Sequence, residues 1–168
     1  MRLAIALATV MAVVSVPVLA ADASLSVAAN QAFLAANAKK HGVIITPDGL
    51  QYRIIQNGYG KRPGALDQVT VYYKGQLING KVFDATEPGL PTKFVTDKLI
   101  PGWTEALQLM REGDHWELVI PPALAYGTRG VGDGMIPPDQ DLVFDLQLVK
   151  VEPPMKDPHD EDDQDQGR

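Results

Sequence analysis

Leu99-Ile-Pro-Gly-Trp-Thr-Glu-Ala-Leu-Gln-Leu-Met-Arg-Glu-Gly-Asp114 is the stretch on which the fold turns. Trp103, Ala106, Leu107 and Met110 stand at i, i+3, i+4 and i+7, so one side of a helix here is apolar. Pro101 and Gly102 punctuate its start and Gly113 its stop, which predicts a helix over 102–111. The segments on both sides read as strand and turn. One amphipathic helix among many strands predicts an α+β domain, with a single helix packed on one sheet. Trp103, in the first turn beside Ile100, is either the floor of a pocket at the helix mouth or plain core. On composition alone, core is the ordinary outcome for a buried aromatic.

Outward from the helix, the apolar runs alternate or are short. Residues 43–45, 50–55, 68–75, 81–84, 93–95, 115–120 and 141–151 all have strand character. Thr46-Pro-Asp-Gly49 and Asn79-Gly80 are turn signals, and Pro121-Pro122 stops the strand before it. The expected architecture is a twisted antiparallel sheet of five or six strands wrapped over the central helix. Between residues 127 and 138 lie four glycines and two prolines, a long punctuated loop of the kind that often carries function. Upstream, residues 24–41 are rich in helix formers. Serines can cap that helix, Lys39 and Lys40 fall in its last turn, and Gly42 ends it. Its apolar residues, Val27, Phe33 and Leu34, are few, so it reads as a marginal docking helix or a connector.

The two ends differ from the middle. Arg2, the apolar run 3–14 and Val18-Leu-Ala20 have the form of a signal peptide, too short for a permanent membrane span. No cysteine follows it, which excludes a lipoprotein anchor. The expected division is residues 1–20 as signal peptide, 21–42 as N-terminal helix or connector, 43–152 as the folded domain and 153–168 as a disordered acidic tail. Such a chain is exported, and a periplasm fits the form of the signal best.

Composition removes several function classes. The absence of cysteine rules out thiol catalysis and zinc–thiolate sites. His41, His115 and His159 lack ligand spacing, so neither a metal site nor a cofactor is expected, and a solvated tail explains the acids around His159 better than a cation site does. The formal charge is −6. Most of the excess acid lies in the tail, which leaves a mildly acidic core with no basic stripe and argues against nucleic-acid binding.

Tyr73, Phe83-Asp84, Leu99-Ile-Pro-Gly-Trp103, Ala125-Tyr-Gly127, Ile136-Pro-Pro138 and Leu142-Val-Phe-Asp145 form an ordered set. In these motifs, over residues 49–152, the chain resembles the FKBP-type peptidyl-prolyl cis-trans isomerases. Residues 33–40 and Gly49-Leu-Gln-Tyr52 resemble exported bacterial members related to macrophage infectivity potentiator proteins. Those relatives carry a long N-terminal dimerisation module, where this chain has residues 21–42, and a monomer is expected.

The resemblance implies a pocket with Trp103 as floor. The Ile100 N–H and the Tyr126 hydroxyl would donate to the peptide, Asp84 would be the fourth catalytic residue, and Tyr73, Phe83, Leu99, Ile136 and Phe144 would bind substrate. It also implies proline-containing polypeptides as partners, and macrolide inhibitors such as tacrolimus or rapamycin as ligands. Thr92 stands where the family often has another aromatic, and residues 131–135 depart from the usual loop. Without the resemblance, Asp84 reads as a turn cap and Tyr126 as a corner tyrosine, and Phe94 reads as core either way. The alternative function is a periplasmic chaperone or peptide-binding module with little or no turnover. Chaperone-competent relatives generally add a separate domain, and none is visible in this sequence.

Overall fold

The computed structural model describes residues 22–154. The expected signal peptide and residues 155–168 of the expected tail lie outside the described residues. Seven strands form one antiparallel sheet: β1 (Val43–Ile45), β2 (Gln51–Gln56), β3 (Gln68–Leu77), β4 (Val82–Ala85), β5 (Thr92–Val95), β6 (His115–Ile120) and β7 (Leu142–Glu152). Their order is β1-β2-β6-β7-β3-β4, with β5 also on β3. The free edge of β3 is therefore shared. β5 takes its first half, Gln68 to Val71, and β4 its second, Lys74 to Gln76. The count exceeds the expected five or six because the short runs 43–45 and 93–95 both pair fully.

Inward-facing residues alternate along β7, where Leu142, Phe144, Leu146 and Leu148 are buried. The period then breaks. The register slips between Thr70 and Val71 opposite Leu148 and Lys150, so two consecutive residues, Val149 and Lys150, face out and Val151 points back into the core.

Against this face lies α2 (Pro101–Leu109), whose Trp103, Ala106, Leu107 and the capping Met110 are at most 4% exposed. Pro101 occupies its first turn. The helix stops at Leu109, short of the expected Arg111, because Met110 is already extended. Asp114 fixes the chain beyond it, its carboxylate accepting from the Arg111 N–H at 2.6 Å and the Gly58 N–H at 2.5 Å. Gly102 permits close approach to the sheet, since a Cβ there would lie 2.5 Å from Ile120 Cγ2.

The N-terminal helix, α1 (Val27–Asn37), is capped as expected by Ser26, whose hydroxyl accepts from the Ala29 N–H. It ends before Lys39 and Lys40, so no basic residue lies in its last turn. It covers the opposite face of the sheet, over the cross-strand row Gln51, Val119, Val143 and Gln76. Its anchors are amides. Asn37 donates to Gln51 Oε1 and Gln51 donates to the Leu34 carbonyl. Asn30 donates to Gln140 Oε1 and accepts from the Asp141 N–H at 2.8 Å. Val27, one of the expected apolar contacts, is 52% exposed. Among the described residues no helix is long and apolar enough to cross a membrane.

Candidate active site

The sheet and the first turn of α2 enclose one end of the core incompletely, leaving a cavity of about 530 Å³. Trp103 is placed there by the helix register and is only 4% exposed. Three rings stand edge-on to its indole: Tyr73 at 5.2 Å, Phe144 at 5.3 Å and Phe94 at 5.8 Å between centroids. Phe83 meets Phe144 in the same manner at 5.6 Å. Edge-to-face contacts suit the ring quadrupoles and fix each ring's orientation. The result is a rigid aromatic cage drawn from β3, β4, β5, β7 and α2.

One position without a side chain makes the cage possible. Gly75 on β3 pairs with Asp84 and with Phe144 on its two neighbouring strands. A Cβ at Gly75 would sit 2.6 Å from both Phe144 Cε1 and Phe83 Cε2, so any other residue would push these rings apart.

The lip is held separately. Thr96, fully buried, donates its hydroxyl among the carbonyls of Gly64, Ala65 and Asp67, nearest to Ala65 at 2.6 Å. Its own carbonyl accepts from the Thr104 hydroxyl at 2.8 Å. These bonds fix the turn that delivers Lys98, Leu99 and Ile100 to the cavity wall. Ile100 is the N-cap of α2, and among the described residues nothing accepts from its N–H. The Trp103 Nε1–H also has no acceptor there.

Polar groups in the wall are few. The Tyr73 hydroxyl donates to Asp84 Oδ2 at 2.6 Å. Burial, this hydrogen bond and the Asp84 charge push the Tyr73 phenol well above the ordinary tyrosine range. Tyr126 is 38% exposed, and burial with the Asp84 charge moves its phenol up as well. Both phenols are therefore neutral donors throughout the physiological range.

Of the nine expected site residues, Tyr73, Phe83, Asp84, Leu99, Ile100, Trp103, Tyr126 and Phe144 line this cavity. Ile136 does not. It is 4% exposed within the core cluster, and its backbone N–H and carbonyl both bond to Val131, which turns the loop back on itself. Phe94, Lys98 and Pro101 also line the wall. Phe94 is half core and half wall, and the pairing of β5 with the first half of β3 is what brings it beside Tyr73. No sequence signal marked Lys98. His115, paired with Asp145 at 2.9 Å, lies away from the cavity.

A helix mouth floored by indole, caged by rings and lipped by a free amide makes a cleft shaped for an apolar group. The chain belongs to the family described as FKBP-type peptidyl-prolyl cis-trans isomerase, whose model matches residues 60–149. A second model, the domain amino terminal to that isomerase, matches residues 9–54 and so includes α1. The chain is 52% identical to the outer membrane protein MIP of Legionella longbeachae, over 74% of its own length and 53% of that protein. It is 49% identical to the FKBP-type 22 kDa peptidyl-prolyl cis-trans isomerase of Escherichia coli, over 71% and 58%. It thus spans little more than half the length of these relatives. Among solved structures, FkpA from Escherichia coli superposes with a TM-score of 0.71 at 44% identity, over 75% of this chain and 59% of that one. A peptidyl-prolyl cis-trans isomerase from Pseudomonas syringae gives 0.70 at 40%, over 75% and 92%.

Proposed function

We propose that the chain is an exported peptidyl-prolyl cis-trans isomerase acting on X–Pro bonds of envelope polypeptides. The observation that carries this reading is the aromatic cage over Trp103, built from the rings of Tyr73, Phe83, Phe94 and Phe144. Rotation about X–Pro faces a barrier of about 18–20 kcal/mol because it breaks amide resonance. The twisted amide has less charge separation than the planar forms, so an apolar enclosure disfavours the planar ground states relative to the transition state. The Ile100 N–H and the Tyr126 hydroxyl would hold neighbouring carbonyls in a turn without supporting resonance in the rotating bond. A thousandfold acceleration asks for about 4 kcal/mol of such differential stabilisation. Asp84 holds the Tyr73 ring against the cage through their hydrogen bond, a positioning role.

The same cavity would take a macrolide such as tacrolimus or rapamycin in competition with the peptide. Export, to the periplasm in particular, rests on the form of residues 1–20 and on relatives with names such as outer membrane protein MIP.

The test is cis-trans isomerisation of a short peptide with an apolar residue before proline, comparing wild type with Tyr126→Phe/Asp84→Leu. Fast catalysis that collapses in the variant is expected. A folded wild type that leaves the uncatalysed rate unchanged would refute the proposal and leave the cleft as a peptide-binding site.

A further inference from the structure

The cavity does not end at Tyr126. Beyond this ring lies a second depression of about 520 Å³, lined among others by Pro122, Ala125, Gly127, Thr128 and Arg129, and Tyr126 belongs to both. The loop beneath it is fixed. The Pro122 carbonyl accepts from the amides of Ala125 and Gly127 at 3.0 and 2.9 Å, and the Gly127 carbonyl accepts from the Asp139 N–H at 2.9 Å. Arg129 is exposed and, among the described residues, has no ion-pair partner. The amides of Thr128 and Arg129 donate to nothing there either. The groove thus offers a cation and two unused donors on a chain of net charge −6. Lys98, the cation on the other lip of the cavity, is already paired with Asp97 at 3.4 Å.

We propose that this groove is a subsite for a carboxylate side chain in the client segment flanking the proline, with Arg129 as the specificity-determining residue. The inference deepens the isomerase reading and rests on it. Arg129 follows Tyr126 by three residues, so the two Cα atoms are at most about 11 Å apart. A client in extended form covers that distance in two or three residues. The preferred substrates are therefore proline segments with Glu or Asp two or three positions away.

The experiment uses proline peptides with Glu or Gln placed two or three residues to either side of the proline. The kcat/KM ratio of each Glu/Gln pair is measured for wild type, Arg129→Gln, Arg129→Glu and Lys98→Gln, at low and high salt. At one of these positions the wild type is expected to favour Glu about two- to fivefold, the range for an exposed charge pair. The preference should vanish in Arg129→Gln, invert in Arg129→Glu, persist in Lys98→Gln and shrink with salt. A ratio of one at every position, or a ratio that responds to Lys98→Gln and not to Arg129→Gln, overturns the subsite. If the Gln peptides isomerise no faster than in buffer, the isomerase reading fails on its own. The same ratios read from peptide affinity, by tryptophan emission, then decide the subsite.

Discussion

Asp141→Asn should stabilise the protein at neutral and alkaline pH and lose that advantage in acid. Asp141 is 1% exposed at the start of β7, and neither carboxylate oxygen has a partner among the described residues. Its surroundings are neutral. α1 carries no ionisable side chain, and the groups gathered at this junction are Asn30, Gln140 and the Leu25 carbonyl. Desolvation alone pushes the carboxyl from 3.8 up to about 7. A raised folded-state pKa contributes stability that is complete below the unfolded value of 3.8 and lost as pH rises through about 7. At roughly 1.4 kcal/mol per pH unit the loss between these limits has a ceiling of about 4 kcal/mol. With relaxation and water penetration around the buried carboxylate, the measured figure should come to about 2 kcal/mol, a rise of roughly 8 °C in Tm for the variant at pH 8. The main-chain N–H of residue 141 still donates to Asn30 in the variant, so the helix anchor is preserved. The assay is urea unfolding of wild type and variant from pH 4 to 8. If the stability difference between them does not grow with pH, or if the variant is the weaker at pH 8, the carboxylate is not held as described.

Three further outcomes follow from the cage and the anchors. Gly75→Ala should cost about 1–3 kcal/mol in denaturant melts by overpacking, and kcat/KM should fall with it because Phe83 and Phe144 must part. Trp103→Leu should remove the floor, abolishing isomerisation and macrolide binding, at a stability cost of about 2–4 kcal/mol. Asn30→Ala strands the Asp141 N–H and should cost about 1–3 kcal/mol. Hydrogen exchange should speed up across Val27–Asn37 while the centre of the sheet keeps its protection.

The central helix was legible because its burial is periodic: Trp103, Ala106, Leu107 and Met110 had only one way to face. The long strand β7 was legible for the same reason, while the short runs showed only as apolar segments between turns, which left the strand count at five or six. What pairs with what was not legible, because period two says nothing of partners. Hence the shared edge of β3, which gives Phe94 a place in the cavity wall as well as in the core, had no local signal, and neither did the bulge that returns Val151 to the interior. Gly75 looked like the end of a strand, when its lack of a side chain is what lets two rings from adjacent strands meet. The motif residues named from resemblance gathered at one cavity, apart from Ile136, whose bridge to Val131 draws it inward. The docking of α1 left no periodic signal because its anchors are the amides of Asn30 and Asn37 and not an apolar stripe.

That choice of amides has a thermal consequence. Unpacking α1 from the sheet uncovers little hydrocarbon, so the step carries a small heat-capacity change and its free energy should vary almost linearly with temperature. The main core, rich in buried leucine and valine, instead follows a curved stability profile with a broad maximum. The two profiles therefore differ in shape. Followed by hydrogen exchange, the opening free energy of the Val27–Asn37 amides should plot as a nearly straight line against temperature while that of the centre of the sheet curves.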